Sequence, residues 1–455
     1  MGEAAAPEQL SAAWLAAQLE GCIGPLRGQR LCVAYSGGLD SSVLLALLAS
    51  LRRPQRLRLR ALHVNHHLHA ESGDWARAAA RQARRWRIAC TLIEAPVRRE
   101  AGESLEAAAR VARYGALARQ LRPGELLVTA HHQEDQLETV LLALLRGSGV
   151  RGLAAMSPVS AWAGTRLLRP LLPVGRAQLL RFARASALQW SDDPSNLDER
   201  FDRNFLRRRV LPLIVQRWPA APVTVARSAA HLAEARALLD ELARTQLAAA
   251  RDGAALRASA LAQLSAAQRR NALRYWLAER GLPPPDHRRL REIAGPLLRA
   301  RADASPQVSW RGGVVRRHAG RLYAQALQPD AAPAARPRRW AWRRQRWLAL
   351  EDGSTLGLLR DPHGDVRLAA LPEALQVRFR QGGERLAGGP GRIALKDLLQ
   401  AQGLAPWERR EVPLIGDGER IFAVADFWLD PAYRVGAAAV SAAERGRFRW
   451  RRALR

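Results

Sequence analysis

Cysteine is scarce in this chain of 455 residues, and its placement limits the chemistry that can be expected. The three cysteines, Cys22, Cys32 and Cys90, form no C-x-x-C pair and no spacing typical of zinc ligands. The pattern argues against a disulfide framework and suits a reducing compartment. We therefore expect a cytoplasmic protein.

Long apolar runs are also missing. No segment approaches the roughly 18 apolar residues that a membrane span needs. The N-terminal segment lacks the basic start of a signal peptide, and Glu8 and Glu20 interrupt its apolar stretch. A soluble chain without a membrane partner is expected, and its length favours two or three domains.

Acidic residues are few relative to basic ones: 42 Asp and Glu stand against 72 Lys and Arg, which gives a net charge of +30. Neutralised phosphates release condensed counterions, so such a surplus favours a nucleic-acid partner. Lys396 is the single lysine. Codon bias would explain the preference for arginine over lysine, but it explains less well why acids are outnumbered.

Residues 1–220 alternate short apolar strands with helical segments. Strands are expected at Leu31–Tyr35, Leu57–Val64, Cys90–Ile93 and Leu126–Ala130, with helices between them. This alternation predicts an α/β domain, a parallel sheet with helices on both faces. Ligands of such sheets bind at the carboxyl ends of the strands.

The remaining chain differs in pattern. Residues 222–327 are rich in Ala, Leu and Arg at helical spacing and predict a mainly helical domain. A Pro/Ala-rich stretch at 328–339 is typical of a linker. Residues 340–455 mix strands with a helix at Leu395–Ala401 and predict a small α+β domain.

A glycine- and serine-rich loop connects the first strand to the helix that follows it. The loop consists of Ser36, Gly37, Gly38, Leu39, Asp40, Ser41 and Ser42. Its glycines allow close approach of the backbone to a ligand, and free N–H groups at the helix start attract an anion. Asp40 is placed to hold Mg²⁺ that bridges phosphates. The Walker loop and the dinucleotide fingerprint are excluded, because neither sequence pattern is present.

A second block follows the strand at 126–130 and contains two histidines and three acids. His131 and His132 precede Glu134, Asp135 and Glu138. Asp135 and Glu138 share one helical face and could hold a metal ion or the ammonium group of an amino acid. The alternative is a helix N-terminus whose acids simply suit the helix dipole.

A third block, from Glu106 to Tyr114, places Arg110 and Arg113 on one side of a helix. Two guanidinium groups at that spacing could clamp a phosphate. The alternative is a salt bridge between Glu106 and Arg110 within the helix.

The first loop resembles the pyrophosphate loop of the N-type ATP pyrophosphatases, which have Ser-Gly-Gly-x-Asp-Ser after a strand. The block from His131 to Thr139, with Gly147-Ser148-Gly149 one helix later, resembles the tRNA(Ile)-lysidine synthases within that family. Most of the chain takes part in this resemblance. Glu134 departs from the family pattern, which has Asp there.

The resemblance implies that ATP is cleaved between its α and β phosphates with Mg²⁺, and that free lysine is joined to a tRNA(Ile) with a CAU anticodon. It assigns Asp40, Asp135 and Arg110 to catalysis, and Asp40 and Asp135 to Mg²⁺. It assigns the loop at 36–42, His63 and His131 to ATP, and Asp135 and Glu138 to lysine. The resemblance also implies that the domains at 222–327 and 340–455 bind tRNA. The residues it implies for tRNA are Arg113, Arg169, Arg203, Asn204, Arg207 and Lys396.

Three other functions stay open on the sequence alone. A tRNA thiolase of the same family would need sulfur-handling cysteines, usually paired. A small-molecule synthetase would not require a charge of +30, and a non-catalytic RNA-binding protein would not need the intact loop with Asp40. The sequence does not determine oligomeric state, and a homodimer is compatible with it.

Overall fold

The computed structural model describes residues 9–67, 69, 71–97, 104–191, 198–301, 304, 306–327, 337–388, 391–418, 420–436 and 444–452. The chain divides into two compact units, Met1–Leu242 and Ala243–Arg455. Residues 328–336 of the expected linker lie outside the described ranges.

The first unit alternates helices and strands along its described part. The helices are α1 Ala12–Ile23, α2 Leu39–Arg52, α3 Ser72–Arg85, α4 Leu105–Gln120, α5 Gln133–Leu145, α6 Val150–Leu153, α7 Arg176–Ala185, α8 Asp202–Phe205, α9 Leu211–Arg217 and α10 Ala221–Ala250, whose last turns belong to the second unit. The strands are β1 Arg30–Ala34, β2 Arg58–Asn65, β3 Ala89–Glu94, β4 Glu125–Val128, β5 Val159–Trp162 and β6 Thr165–Leu168.

These strands form one six-stranded sheet in the order β3-β2-β1-β4-β6-β5. All neighbours pair in parallel except β5, which runs antiparallel to β6 at the edge. The α/β fold predicted from the sequence is confirmed. The β5–β6 hairpin was not predicted. Its turn has positive φ at Ala163, 47°, and at Gly164, 75°, and only the glycine is a residue type that favours such a turn.

Strand β1 shows why helices cover both faces. Leu31 and Val33 point into the core cluster built with α1, α2 and α7, whereas Cys32 points into a second cluster with Leu117 of α4. Side chains alternate along a strand, so a strand buried on both faces is apolar throughout. The layered packing leaves the carboxyl ends of β1, β2 and β4 as the edge where polar residues gather.

The second unit begins with short helices beside a sheet. The helices are α11 Ala258–Ala262, α12 Ala266–Glu279 and α13 His287–Glu292, and the strands are β7 Arg251–Asp252, β8 Ala255–Arg257, β9 Gln307–Trp310, β10 Gly313–His318 and β11 Arg321–Gln325. The strands form an antiparallel sheet in the order β7-β8-β11-β10-β9. The structure thus adds a sheet to a region expected to be mainly helical, because strands this short and rich in arginine leave little period-two signal.

The C-terminal part of the second unit contains helix α14 Leu395–Ala401, as expected, and eleven strands among the described residues. They are β12 Arg338–Trp340, β13 Trp347–Ala349, β14 Thr355–Arg360, β15 Val366–Arg367, β16 Leu375–Arg378, β17 Arg385–Gly388, β18 Gly391–Ala394, β19 Leu414–Gly416, β20 Ile421–Val424, β21 Trp428–Leu429 and β22 Arg445–Arg451. Arg338 and Arg339, placed in the linker by the sequence, belong to β12.

Two of the C-terminal sheets pack face to face. One has the order β12-β16-β19-β20-β21 and the other β13-β14-β22-β15. Trp340, Val377 and Phe422 from the first share a core cluster with Leu356 and Phe448 from the second. The other face of the first sheet is covered in part as well, because Leu414 and Val424 pack with Leu395 of α14.

Among the described residues, no helix has both the length and the apolarity that crossing a membrane requires.

Candidate active site

The phosphate loop lies where the sequence predicts, between the end of β1 and the start of α2. Gly37 adopts φ 84°, and a Cβ atom there would come within 3.0 Å of the Ala79 Cβ on α3. Gly38 caps α2 without a side-chain hydrogen bond. The first N–H groups of α2 are thus left to bind an anion, with the helix dipole in their favour.

The serines of the loop divide into two roles. The Ser36 and Ser41 hydroxyls lie 3.0 Å apart, and the Gly38 N–H points to the Ser36 oxygen at 3.3 Å. Ser42 is fully buried and its hydroxyl lies 3.3 Å from the Tyr35 hydroxyl. Ser42 therefore supports the loop from inside, while Ser36 lies closer to the ligand side.

His63 braces the same loop from β2. Its Nδ1 atom lies 3.0 Å from the carbonyl oxygen of Tyr35, directly before the loop. Burial lowers the pKa of His63, against the opposing effect of that hydrogen bond. The neutral ring holds the end of β1 in place.

Asp40, in the first turn of α2, faces the N-terminus of α5. Its Oδ2 atom lies 3.5 Å from Nε2 of His132 and 3.7 Å from Nη1 of Arg176. Its Oδ1 atom is buried and has no hydrogen-bond partner among the described residues. The Oδ2 atom of Asp135 lies 3.6 Å from the same Nε2 atom of His132.

This pair of carboxylates suits Mg²⁺. Magnesium commonly takes one or two protein carboxylates and completes its shell with water and substrate phosphates. The described residues contain no cluster of three or more His, Cys, Asp or Glu arranged for a metal. A site made by Asp40 and Asp135 would therefore depend on ATP for its other oxygen ligands.

His132 is the charged centre of the site, a role that the sequence did not single out. Burial by itself lowers the pKa of His132, but Asp135, Asp40 and Glu134 outweigh it and raise that pKa to about 10. The cation partly offsets the repulsion among three neighbouring carboxylates.

Glu134 connects α5 to α7. Its Oε2 atom lies 2.9 Å from Nδ1 of His132, and both of its oxygens accept from the Arg176 N–H at 3.1 and 3.0 Å. Arg176 is the first residue of α7, so the carboxylate also meets a helix N-terminus. The Glu134 side chain thus orients His132. A glutamate can make this contact in place of the aspartate of the family pattern.

Asp135 and Glu138 share a face of α5, as expected, and Arg207 binds both. Arg207 donates from Nε and Nη2 to Glu138 at 2.7 and 3.0 Å, and from Nη2 to Asp135 at 3.3 Å. The Glu138 side chain is 0% exposed. Burial raises the pKa of Glu138, although Arg207 opposes that effect.

His131 is a neutral side chain beside this cluster. Its Nδ1 atom lies 2.9 Å from the Thr129 hydroxyl. Burial lowers the pKa of His131 to about 3; Asp135 opposes the shift, and Arg169, Arg110 and Arg203 add to it. A neutral imidazole at the end of β4 can accept or donate a hydrogen bond to a ligand.

The arginines predicted to contact tRNA or phosphate lie in different surroundings. Arg203 contacts Glu106 at 3.2 Å, and its Nη2 atom donates to Thr139 at 3.3 Å. Arg110 lies over the Tyr114 ring at 4.9 Å, whereas Arg113 donates to His66 at 3.4 Å. Arg110 and Arg113 are thus engaged separately, and the alternative Glu106–Arg110 bridge is replaced by Glu106–Arg203.

The other residues predicted for tRNA have supporting or distant positions. Arg169 is mostly buried and donates to Ser157 O at 2.8 Å. The Asn204 amide donates to Asp198 O at 2.9 Å. Lys396 is exposed on α14 in the second unit. An RNA contact at these three residues stays a prediction, and burial makes Arg169 the least accessible of them.

Family comparisons match three parts of the chain. A PP-loop domain matches residues 12–214, a TilS substrate binding domain residues 256–323, and a TilS substrate C-terminal domain residues 375–450. These ranges fall inside the three domains expected from the sequence, whose bounds stay predictions.

Curated relatives cover nearly the whole chain. A tRNA(Ile)-lysidine synthase of Alkalilimnicola ehrlichii is 43% identical over 426 residues, covering 91% of this chain and 94% of the relative. One from Methylococcus capsulatus is 40% identical over 403 residues, covering 87% and 91%. Among solved structures, the U34-tRNA thiolase NcsA from Methanococcus maripaludis is 16% identical and covers 48% of this chain and 78% of that chain, with a TM-score of 0.42.

The sheet, its phosphate loop and the matched domain define a PP-loop protein, the class of ATP-using enzymes predicted from Ser36 to Ser42. Within that class, the chain belongs to the tRNA(Ile)-lysidine synthase family. The family and the ATP-dependent ligase class inferred from the sequence are confirmed, and the thiolase and non-catalytic alternatives are not favoured.

Proposed function

We propose that this protein joins free lysine to position 2 of the wobble cytidine of a CAU-anticodon tRNA(Ile), at the expense of ATP. The observation that supports this most directly is the juxtaposition of two features. A loop suited to phosphates lies beside carboxylates suited to a cation, with His132 between Asp40 and Asp135. An enzyme of this kind works where tRNA and ATP are present, which agrees with the expected cytoplasmic location.

In the first step, the O2 atom of the cytidine attacks the α-phosphorus of ATP. The O2–P bond forms, the bond between the α-phosphorus and the bridging oxygen breaks, and pyrophosphate leaves. The amides at the start of α2 and the Ser36 hydroxyl would hold the pyrophosphate. Mg²⁺, held by Asp40 and Asp135, would neutralise charge on the departing phosphates.

In the second step, the side-chain amine of lysine attacks carbon 2 of the adenylated base after losing a proton. The C–N bond forms, the C–O bond to the adenylate breaks, and AMP leaves. Positioning is the main task of the protein here, because the adenylate already supplies the leaving group.

The lysine would be held by the carboxylates of α5, and the contacts of Arg207 suggest how. Arg207 is bound in bidentate fashion to Glu138 but by one longer contact, 3.3 Å, to Asp135. The Oδ2 atom of Asp135 also accepts the His132 N–H at 3.0 Å, but the Asp135 side chain is 12% exposed and that of Glu138 0%. Asp135 is therefore the carboxylate that an ammonium group could reach. Glu138 would act by fixing Arg207 and the face of α5.

The decisive experiment supplies ATP, Mg²⁺, labelled lysine and a CAU-anticodon tRNA(Ile) transcript. We expect label in the RNA and equal amounts of AMP and pyrophosphate. A transcript with uridine at the wobble position serves as the control and should take up no label. Failure to transfer lysine to the cytidine transcript would overturn the proposal.

A further inference from the structure

The outer face of the sheet β13-β14-β22-β15 carries a row of arginines. Strand β22 has arginine at every second position, Arg445, Arg447, Arg449 and Arg451, a set named the arginine ladder below. The residue between two of them, Phe448, is 3% exposed and lies in the core. Since side chains alternate along a strand, the ladder points outward, with about 6.8 Å between successive members.

A tryptophan lies beside this ladder on the same face. Trp347 is paired with Gly357, and Gly357 is paired with Arg449. A Cβ atom on Gly357 would lie 2.6 Å from the Trp347 ring, so the indole covers that glycine. The Arg451 guanidinium lies 4.1 Å from the centre of the Trp347 ring. The face thus combines cations with a planar aromatic surface.

The charge of this face is largely uncompensated. None of the four strands contains Asp or Glu. Arg447 contacts Asp361 at 3.3 Å. Arg449 is exposed, and in the described part of the chain no ion pair or hydrogen bond of its side chain occurs. Because this row is only partly neutralised, it attracts an anionic ligand or solvent ions.

We propose that the arginine ladder and Trp347 bind a single-stranded segment of the substrate tRNA, with the arginines on successive phosphates. Regularly spaced cations follow a nucleic-acid backbone, and stacked aromatic and guanidinium groups receive an unpaired base. Arg445, Arg447 and Arg449 lie within the matched substrate C-terminal domain, 375–450, whereas Trp347, Gly357 and Arg451 lie outside it. The identity of the RNA rests on the proposed function. The competing ligand for this surface is an acidic protein.

The test compares two charge reversals in the full-length protein. Arg449→Glu changes the ladder. Arg339→Glu is the matched control, because Arg339 is exposed on β12 beside the buried Trp340, on the outer face of the opposite sheet. We expect Arg449→Glu to raise the Kd for tRNA(Ile) about tenfold and Arg339→Glu to change it less than about twofold. Lysine transfer at saturating tRNA should stay near the wild-type rate in both.

A second variant separates stacking from charge. Trp347→Leu should weaken tRNA binding without changing the slope of log K against log salt. Arg449→Ala should lower that slope by about 0.7–0.9, the value for one phosphate contact. A slope for Arg449→Ala equal to that of wild type would overturn the phosphate contact even if the affinity fell.

The outcomes distinguish this inference from the proposed function. Normal lysine transfer with equal tRNA affinity of the Arg449→Glu and Arg339→Glu variants would overturn the RNA surface and leave the function intact. Weaker tRNA binding by Arg449→Glu, with no lysine transfer by the wild type, would support the surface and overturn the function.

Discussion

At the residue scale, Asp40 has the clearest chemical assignment. One of its oxygens is buried and has no partner in the part of the chain that the structure describes, and the other faces His132 and Arg176. An acceptor left in this way costs free energy unless a ligand supplies a cation or donor. The proposed Mg²⁺ site would account for this oxygen, because the ion would supply its missing partner.

We expect Asp40→Ala to lower lysine transfer at least about 100-fold while tRNA binding changes little, because the lost group acts on the charge of the transition state. Transfer of labelled lysine and filter binding of tRNA measure the two effects. Normal turnover by this variant would remove Asp40 from the metal-binding role.

Glu134 is the second residue whose role can be tested. Replacement by glutamine removes the charge that faces His132 and the Arg176 N–H. We expect kcat to fall about tenfold in Glu134→Gln, the usual cost of losing an orienting contact. Glu134→Asp keeps the charge and should retain more activity than the glutamine variant. Equal activity of the two variants would contradict an electrostatic role.

At the scale of the elements, the effect of the contact between the phosphate loop and α3 can be distinguished from the effect of a positive φ by comparing two glycines. Gly37 combines φ 84° with a Cβ position 3.0 Å from Ala79, whereas Gly24 has φ 77° and open space around it. Gly37→Ala should raise the KM for ATP more than about tenfold, since the loop must move off α3.

Gly24→Ala is the control for positive φ alone. Because Gly24 has φ 77° and ψ −156°, a region that few residues other than glycine adopt, the change should cost about 1–3 kcal/mol of stability without raising the KM for ATP. ATP-dependent pyrophosphate exchange and thermal unfolding give the two readouts. A Gly37→Ala enzyme with the KM of wild type would show that contact with α3 does not set the loop geometry.

The contact between α5 and the π-helical turn Leu206–Val210 is also energetically important. Arg207→Ala would leave the fully buried Glu138 without its partner. We expect a loss of about 3 kcal/mol in the free energy of unfolding, measured by urea denaturation. The double variant Arg207→Ala, Glu138→Gln should recover much of the lost free energy of unfolding. If the losses of the two single variants simply add in the double variant, Arg207 and Glu138 do not stabilise the fold as a pair.

The loss of stability in Arg207→Ala should depend on pH, because it arises from the ionised carboxyl group of Glu138. Burial raises the pKa of Glu138 in the folded protein, and Arg207 opposes the rise. Without Arg207, the folded state should bind a proton more tightly than the unfolded chain, so the loss should shrink as pH falls through the raised pKa. A loss that grows on acidification would contradict this explanation.

At the scale of the whole molecule, the net charge of +30 dominates. We expect the logarithm of tRNA affinity to fall linearly with that of salt concentration, with a loss of at least about 100-fold between 50 and 200 mM. Filter binding over this range checks the expectation. An affinity that does not depend on salt would mean that the arginines do not contact phosphates.

The sequence by itself determined the local order of the first unit. Ser36–Ser42 follow an apolar strand and start a helix, and His131–Glu138 do the same one sheet position away, so both had to reach the carboxyl edge of the sheet. The small sheet in the second unit was not predicted, because its strands are short and much of their burial comes from α12 and α13.

Only the tertiary structure decided which cations face the acids. Arg207 meets Asp135 across 72 residues, and the Arg176 guanidinium lies 3.7 Å from Asp40. No spacing along the chain encodes such pairs. Local patterns fix helices, strands and their polar ends, because those depend on near neighbours. The charge and burial of His132, Glu138 and Arg169 depend on contacts with elements that are distant along the chain. These properties are therefore set by the packing of the layers and cannot be predicted from local sequence.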